Sequence, residues 1–494
     1  MSEALVPILI LLSSFVPGIG IFLLPENRGG TRIALNLTGA IIKVGLAGYV
    51  VWRAIEGQPP LEVSVGFAPG FDIMLRLDAL ATLFVALSSV LWLATTVYAI
   101  GYIEGDRESR RFFGFFSLCI TATMGIAMAG NLLTFFMAYE ALTIFTWPLI
   151  VHDGTPKALR SGAVYLAFLL GASTAFLGGA AWLHALVGGD VSFAAQGRDV
   201  AALAADHPVA LSVIFGLLIV GVASKAAIVP LHAWLPAAMV APTPVSALLH
   251  AVAVVKAGAF GVIRIIHDVY GVTAHEMGLT QVVAGVAAFT IIFASLRALQ
   301  QDHLKRLLAY STISQLSYIV LGVSLGGPLA LVGGLVHMIN HGVMKITLFF
   351  CAGGLAETAH IHKVSEMNGI GRRMPWTMAA FTVAALGMIG LPPLAGFVTK
   401  WYLGLGALNL GLEWVVAVLI ASALLNAAYY LPILHAAWLR PLPAGTPGGR
   451  NEAKALLLLP PLFTALLVLL AGLVPWEGGP LALIESIVAR ERFP

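Results

Sequence analysis

Residues 216–236 read GLLIVGVASKAAIVPLHAWLP, an apolar run that contains Lys225 and is interrupted by Pro230 and Pro236. Proline removes a backbone hydrogen bond and clashes with the preceding helical turn. The run therefore predicts a membrane helix, the seventh of the chain, that is broken near the middle of the bilayer. Because unwound backbone at that depth is tolerated only where it lines a cavity or is buried in protein, the break is a candidate transport site.

A second interrupted run, GMIGLPPLAGFVTKW, occupies residues 387–401 and contains Pro392, Pro393 and Lys400. It predicts a break in the twelfth helix. Paired interruptions at corresponding positions indicate inverted repeats, with the transported species bound at the breaks. Two packing kinks are the alternative, and the lysine beside each break favours the transport interpretation.

Composition defines the class of protein. The chain has 494 residues, 59% of them hydrophobic and 10% charged, with a mean hydropathy of +0.93, which indicates an all-α polytopic membrane protein. A membrane helix needs about 20 apolar residues, and such windows predict about fourteen transmembrane helices. The windows are 3–24, 31–55, 78–103, 111–128, 131–151, 159–187, 208–240, 244–267, 278–300, 304–324, 328–355, 375–408, 411–438 and 455–475.

The connecting loops predict the orientation and limit the chemistry. Loops after odd-numbered helices hold most of the loop lysines and arginines, such as Arg110, Lys305 and Arg372, which places both termini on the non-cytoplasmic side of a plasma membrane. The longest loops, near 58–77 and 188–207, are too short for a soluble domain. We therefore expect no cofactor and no catalytic redox site in this chain, and any enzyme activity would belong to partner subunits.

Charged residues inside the apolar windows are the candidate functional residues, because a charge in the bilayer core costs several kcal/mol. Glu140 has no polar neighbour on its own helix that could satisfy a carboxylate, so Lys225 is its expected partner. At a separation of about 6 Å and an effective dielectric of 20 their attraction is about 3 kcal/mol. Such a lysine can load and release a proton, and a static buried ion pair is the alternative. Lys43 also lies within a helix, and the sequence gives it no partner.

The predicted eighth and eleventh helices also contain polar residues. His250 and Lys256 lie six residues apart, so on a continuous eighth helix they would point about 120° apart. The stretch HMINHGVMK at 337–345 spaces His337, His341 and Lys345 by four residues, which lines one face of the eleventh helix. The histidine spacing also suits a metal, but the sequence offers no third ligand nearby and adds a lysine, so we expect no metal.

The blocks KAAIVPLHAWLP (225–236), APTPVSALLH (241–250), KAG (256–258), DHLKRLLAYSTISQ (302–315) and GRRMP (371–375) together resemble a specific family signature. It is that of the antiporter-like subunits shared by respiratory complex I, membrane-bound hydrogenases and Mrp-type cation/proton antiporters. The resemblance covers most of the chain.

The resemblance implies a fold and a set of roles. The fold has N-terminal helices at 1–110, two inverted five-helix repeats at 111–271 and 272–440, and a last helix at 441–494. The implied proton-transfer residues are Glu140, Lys225, His232, His250, Lys256, His337, His341, Lys345 and Lys400. Lysine at position 400 departs from those complex I subunits that carry glutamate there.

The resulting hypothesis is proton transfer from Glu140 and Lys225, through Lys256 and the histidines, to Lys400. The predicted function is a proton-translocating subunit of a multisubunit membrane complex, most like the D-type subunit of an Mrp-type antiporter. A proton-pumping subunit of a complex I-like or hydrogenase complex is one alternative, and a subunit of another ion-driven uptake complex is a second. Expected partners are other membrane subunits, the lipid bilayer, protons and Na⁺, with no nucleic acid. The direction of transfer and the passage of Na⁺ through this chain are left open.

Overall fold

Helices make up almost the whole of the computed structural model, which describes residues 5–68, 70–103, 108–445, 449–474, 480–491 and 493. In a bilayer every backbone polar group must be satisfied internally, and a helix does this within one segment. The helices are α1 (Val6–Leu23), α2 (Gly29–Ile55), α3 (Ala79–Tyr102), α4 (Ser109–Met128), α5 (Leu132–Ile150), α6 (Pro156–Val187), α7 (Arg198–Leu203), α8 (Pro208–Lys225), α9 (Trp234–Ala237), α10 (Thr243–Ala251), α11 (Val254–Ile263), α12 (Thr273–Glu276), α13 (Leu279–Leu299), α14 (Leu304–Ser324), α15 (Pro328–Ala359), α16 (Ile370–Arg373), α17 (Pro375–Ile389), α18 (Ala395–Asn409), α19 (Glu413–Leu439), α20 (Ala455–Leu473) and α21 (Pro480–Val488).

The membrane architecture predicted from the sequence is confirmed. Among the described residues, 13 helical segments are long and apolar enough to cross a membrane. The remaining predicted span, the twelfth, is the pair of shorter helices α17 and α18. The chain is therefore a multi-pass integral membrane protein.

Both predicted breaks are present in the structure. Helix α8 ends at Lys225, and the chain passes through turns before α9, with a cis peptide bond between Val229 and Pro230. Helix α17 ends at Ile389, and α18 begins at Ala395 after a cis bond between Pro392 and Pro393. Each break thus leaves the carboxyl end of a helix inside the span.

A third interruption corrects the expectation for the eighth helix. Helix α10 ends at Ala251 and α11 starts at Val254, because Val252 and Ala253 leave helical geometry. The amide groups of both residues bond to the carbonyl of Leu248 at 3.1 and 2.9 Å. The angle of about 120° between His250 and Lys256, which assumed a continuous helix, therefore does not apply.

A β-hairpin, which the loop assignment at 58–77 did not anticipate, precedes α3. Strands β1 (Leu61–Ala68) and β2 (Phe71–Leu77) pair antiparallel. The hairpin is fixed to the start of α5: Asn131 donates to the carbonyl of Asp72 at 2.8 Å, and the amide of Met74 donates to Thr134 Oγ1 at 2.8 Å. The hairpin therefore anchors the amino end of the helix that carries Glu140.

The most deeply buried segments are those that contain the predicted histidines and lysines. An apolar 18-residue window is 100% buried in the span Thr243–Tyr270 and in α14 and 94% buried in α15, whereas the corresponding windows of outer helices such as α2, α6 and α19 are 33% buried. The histidines and lysines at 250, 256, 337, 341 and 345 all lie in these central segments. Their charges are thus shielded from lipid by surrounding helices.

Candidate functional site

Lys225 is the last residue of α8 and is fully buried. Its Nζ donates to the carbonyl of Tyr139 and lies 3.2 Å from the centre of the Tyr139 ring. The carboxyl end of a helix carries partial negative charge, and a desolvated cation over an aromatic face gains about 2 kcal/mol. A protonated Lys225 is thus stabilised without a direct ion pair.

Glu140 follows Tyr139 in α5 and is half-buried. Its Oε1 is buried and accepts no hydrogen bond within the described part of the chain. Glu140 is an acidic neighbour of Lys225, but the salt bridges among the described residues do not include one between them within 4 Å. The expected partners are therefore neighbours, with the Tyr139 carbonyl taking the hydrogen bond of the lysine.

Lys256 connects the first break to the central helices. It is fully buried near the start of α11, and its Nζ donates to the carbonyl of Met338 in α15 at 2.8 Å. Met338 follows His337 directly, so the ammonium group lies beside the histidine face. His250, on the other side of the α10–α11 interruption, stacks on Phe349 with ring centres 4.5 Å apart.

The two histidines of α15 face the same way. The ring centres of His337 and His341 are 5.5 Å apart, and the His337 ring lies 5.3 Å from that of Tyr318. Both rings are at most 1% exposed, and neither nitrogen of the His341 ring has a hydrogen-bond partner among the described residues. Neutral imidazole has one donor and one acceptor nitrogen, so each ring is able to take up and release a proton at different atoms.

A chain of hydroxyl and amide groups links Lys345 to the second break. Lys345 Nζ donates to Tyr430 Oη at 3.4 Å and to the carbonyl of Leu308 at 3.1 Å. Tyr430 Oη bonds to Ser311 Oγ at 3.1 Å, and Tyr429 Oη donates to the same Ser311 oxygen at 3.0 Å.

The same chain continues to the carboxyl end of α17. Tyr429 Oη is also within hydrogen-bond distance of Asn426 Oδ1, so its single proton can go to either acceptor, and Asn426 Nδ2 donates to the carbonyl of Met388 at 3.3 Å. Met388 is the residue before the last residue of α17. Hydrogen-bonding groups therefore extend from Lys345 to the twelfth-helix break.

Lys400 lies in α18, but its Nζ donates to the carbonyl of Ile389, the last residue of α17. At the second break the ammonium group therefore lies at the carboxyl end of α17, whereas at the first break Lys225 is itself the last residue of α8 and its ammonium group reaches α5. Gly390 makes the second arrangement possible: its φ is +91°, and a Cβ there would lie 2.8 Å from the Lys400 nitrogen. Only glycine suits both the backbone and the contact.

The sequence did not identify the four residues that join Lys345 to the second break, which are Ser311, Asn426, Tyr429 and Tyr430. Asn340, which lies inside the stretch 337–345 of α15, was also not identified. It donates to the carbonyl of Ala395 at 2.7 Å and to Thr399 Oγ1 at 3.3 Å. The only signal for them in the sequence is a polar side chain in an apolar window. That signal is weak for hydroxyl and amide groups.

His232 is separate from the other candidates. Its half-buried ring packs edge-on against Phe293 at 5.3 Å and lies 6.5 Å from the ring of Tyr310. Across the described ranges, no group of three or more His, Cys, Asp or Glu side chains is arranged to hold a metal ion. The remaining candidates form two groups, Glu140 with Lys225 and Lys345 with Lys400, with Lys256 and the histidines between them in the chain.

Two membrane helices broken at proline, with a fully buried lysine at the first break and a half-buried lysine at the second, and a histidine and lysine face between them, define the class of antiporter-like membrane subunits. The transmembrane family described as NADH:quinone oxidoreductase/Mrp antiporter matches residues 129–425, more than half of the 494 residues. The chain belongs to this family.

Relatives occur in several kinds of complex. The chain is 35% identical over 467 residues to the N subunit of the NADH-quinone oxidoreductase of Desulforudis audaxviator, covering 91% of each chain. It is 28% identical to the D subunit of the Na⁺/H⁺ antiporter of Alkalihalophilus pseudofirmus, covering 87% of this chain and 86% of the relative. Among solved structures, a chain of the Mrp complex from Dietzia sp. matches with a TM-score of 0.88 at 22% identity, covering 99% of this chain and 98% of that one. The similarity to the solved structure supports the fold.

Proposed function

We propose that this chain translocates protons along the intramembrane groups Glu140, Lys225, Lys256, the α15 histidines, Lys345 and Lys400. The observation that carries the proposal is that a lysine lies at each membrane-embedded break with its ammonium group on a backbone carbonyl, Lys225 on that of Tyr139 in α5 and Lys400 on that of Ile389 at the end of α17. Intramembrane ionisable groups of this kind mark ion and proton pathways.

In the proposed order, a proton is loaded at Glu140 and Lys225 from the cytoplasmic face. It passes to Lys256, which lies beside His337, and then to the histidine face of α15. From Lys345 it follows the hydroxyl chain to Lys400 and leaves on the opposite face. The charge bias of the loops supports this orientation, with both termini on the non-cytoplasmic side.

Two kinds of complex are candidates for the assembly that contains this chain. A gradient-driven cation/proton antiporter, with this chain in the position of the D-type subunit, is supported by the Alkalihalophilus relative, which matches over most of both chains. A redox-driven proton pump is supported by the Desulforudis relative, which has the higher identity over a larger share of both chains. The higher sequence identity to the Desulforudis relative favours the redox-driven proton pump.

The activity is tested with the chain in its native complex, purified and reconstituted in liposomes that contain a pH-sensitive dye. Replacing Lys225 or Glu140 with alanine is expected to slow proton movement at least tenfold, because a proton-transfer group typically contributes that much or more. Lys157→Ala, at an exposed lysine in α6, is the matched control and should transport like the wild type. Wild-type transport in both buried variants, with the complex intact, would refute the proposal.

The assembly is tested by what purifies with the chain. A redox pump requires partner subunits that hold flavin, iron–sulfur or nickel centres, and its proton movement starts on addition of a reductant. An antiporter has no such centres, and its proton movement starts on addition of a Na⁺ or K⁺ gradient. The two driving forces therefore separate the candidates in one liposome preparation.

A further inference from the structure

The eighth membrane span, Thr243–Tyr270, ends in a π-helical segment at Arg264–Tyr270. π-Helical turns are rare and frequently occur at functional sites. Three polar side chains of this segment, Arg264, His267 and Asp268, are each at most 7% exposed. None of them belongs to the groups proposed above to transfer protons, so the cluster needs a separate explanation.

Arg264 binds two carboxyl groups. Its guanidinium group donates to both oxygens of Asp78 at 2.8 and 3.0 Å and to one oxygen of Asp268 at 2.7 Å. Asp78 directly follows strand β2 of the hairpin, and it also caps α3 by accepting from the amide of Ala81 at 2.7 Å. The arginine thus joins the end of the eighth span to the hairpin and α3, and its charge is already shared between two carboxyl groups.

His267 lies between two hydrogen-bond acceptors. Its Nε2 is 3.1 Å from the carbonyl oxygen of Val323 near the end of α14, and its Nδ1 is 3.2 Å from Oε2 of Glu491. A neutral imidazole ring donates from one nitrogen only. Both contacts are therefore hydrogen bonds only when the ring is protonated on both nitrogens or the carboxyl group of Glu491 carries a proton. In either case the pair holds one proton more than a neutral ring beside a carboxylate.

The bond from Glu491 ties down residues 489–491, the segment that follows α21. Helix α21 itself packs through Leu483, Ile484 and Ile487, which are at most 5% exposed. Apolar packing does not depend on a proton, so it holds α21 at any pH. The segment after α21, in contrast, contacts the eighth span through a hydrogen bond that requires a proton.

A cavity of about 330 Å³ lies between this segment and the eighth span, on the face of the molecule that carries the β-hairpin, called the hairpin face below. Arg264 and Asp268 line the cavity from the span, and Arg490 and Glu491 line it from the segment. Arg490 is exposed, so the cavity reaches the molecular surface. A proton on the pair can therefore exchange with the solvent on this face, which the loop charges predict to be non-cytoplasmic.

The charged and titratable groups around the pair come from each neighbouring element. They are Arg264 and Asp268 on the same segment, Arg76 and Asp78 of the hairpin region, Arg198 of α7, His275 of α12 and Arg490 beside Glu491. Asp78 and Asp268 bond to Arg264, so Glu491 is the carboxyl group that bonds to the ring. The protonation of Glu491 and His267 thus decides whether the contact persists.

We propose that His267 and Glu491 form a proton-binding site on the hairpin face, and that the bound proton holds residues 489–491 over the cavity. When the pH on this face rises, one N–H or O–H bond of the pair breaks and the proton passes to the solvent. The free nitrogen lone pair then faces the carboxylate, so the segment separates and the cavity opens. The site is independent of the proposed function, since the proton binds and leaves on one face and does not cross the chain.

The position of the segment is measured in the intact purified complex with a nitroxide spin label on Ala489→Cys. Ala489 is exposed and lies close to Glu491 in the chain, and the native Cys119 and Cys351 are 0% exposed, so they should not react with the label. The mobile fraction of the label in the electron paramagnetic resonance spectrum is expected to rise at least about fivefold from about pH 5 to about pH 9, because this interval includes the range in which histidine ordinarily titrates.

Two substitutions of Glu491 test the origin of this rise. The amide group of Glu491→Gln donates to Nδ1 of a neutral ring that donates from Nε2 to Val323, so both bonds persist without the extra proton. The label should then stay immobile at every pH. Glu491→Ala removes the bond, and the label should be mobile at every pH. Glu485→Gln, at an exposed carboxyl group of α21, is the matched control and should keep the wild-type rise.

A label whose mobility does not change with pH in the otherwise wild-type chain would overturn the inference. A Glu491→Gln variant that keeps the rise, or that is as mobile as Glu491→Ala, would overturn it as well. None of these outcomes depends on proton flux. Normal flux in Lys225→Ala refutes the proposed function and leaves this site in place, whereas a constant mobility of the label refutes this site alone.

Discussion

Lys225 gains its stabilisation from the Tyr139 carbonyl and ring, with Glu140 nearby. An arginine at this position keeps the charge and the cation–π contact, but it stays protonated at any physiological pH. We expect Lys225→Arg to assemble like the wild type and to slow proton movement at least tenfold, as loss of a transfer group does. The measurement is proton flux in liposomes with complex assembly checked on a native gel. Wild-type flux would mean that Lys225 is a fixed charge of a static ion pair.

Tyr430 joins Lys345 to Ser311 through its hydroxyl group. We expect Tyr430→Phe to slow proton flux about threefold to tenfold, because one hydrogen bond of about 1 kcal/mol is lost from the path. Tyr270→Phe is the matched control, since that buried hydroxyl bonds only to the carbonyl of Leu211 at 2.8 Å, away from the path. Equal fluxes in the two variants would remove the hydroxyl chain from the proposed route.

The sequence reveals the charged candidates because a lysine or glutamate in an apolar window needs an explanation. It does not reveal Ser311, Tyr429, Tyr430 or Asn426. Serine and threonine in a membrane helix commonly bond to a carbonyl one turn earlier, as Thr312 does to Leu308 at 2.9 Å. Only the side-chain contacts between α14 and α19 show which hydroxyl groups bond to a neighbouring helix and which bond within their own.

At the scale of elements, the two breaks with proline were predicted and the interruption at Val252 and Ala253 was not. Proline acts through local geometry, which a sequence displays. The sequence around 252–253, AVAVVK, has neither proline nor glycine, so contacts with other helices must determine that interruption. The hairpin was not predicted although LEVSVGF at 61–67 alternates, because one short alternating run between two long apolar windows is a weak signal for a strand.

Gly258 determines how closely α11 approaches the end of α8. A Cβ on this residue would lie 2.6 Å from the carbonyl carbon of Lys225 and 2.8 Å from Cα of Ala226, both of which are backbone atoms. We expect Gly258→Ala to separate α8 from α11, lower the melting temperature of the complex and slow proton flux at least threefold, because closely packed backbone has no room for a methyl group. Thermal melting and flux are measured together.

Gly216→Ala is the control for this substitution. Gly216 lies in α8, and a Cβ there would meet nothing within 4 Å. Alanine is the better helix former by about 1 kcal/mol, so this variant should melt no lower than the wild type. If Gly258→Ala behaves like Gly216→Ala, the contact between α11 and the break is not needed for the arrangement of the site.

At the scale of the whole molecule, the division into two inverted repeats at 111–271 and 272–440 stays a prediction. Two observations accord with it: each repeat contains one helix broken at proline, and each of these breaks has a lysine whose ammonium group lies on the carbonyl at a helix end or on the neighbouring helix. The paired proline interruptions indicated inverted repeats, and the family resemblance supplied their bounds, since composition and periodicity alone predict only the number of spans.

The parts of the proton route at Lys225 and at Lys400 are arranged either in series or in parallel, and the two arrangements predict different proton fluxes. If a proton must pass both Lys225 and Lys400, either single substitution blocks the whole route, and a second block adds nothing. We expect Lys225→Met, Lys400→Met and the double variant to show the same residual proton flux, at least tenfold below the wild type. Effects of residues that act as one unit are non-additive in this way. Two independent half-routes would instead leave about half of the flux in each single variant and remove it only in the double variant, so the flux ratio of single to double variants decides whether the buried row is one pathway.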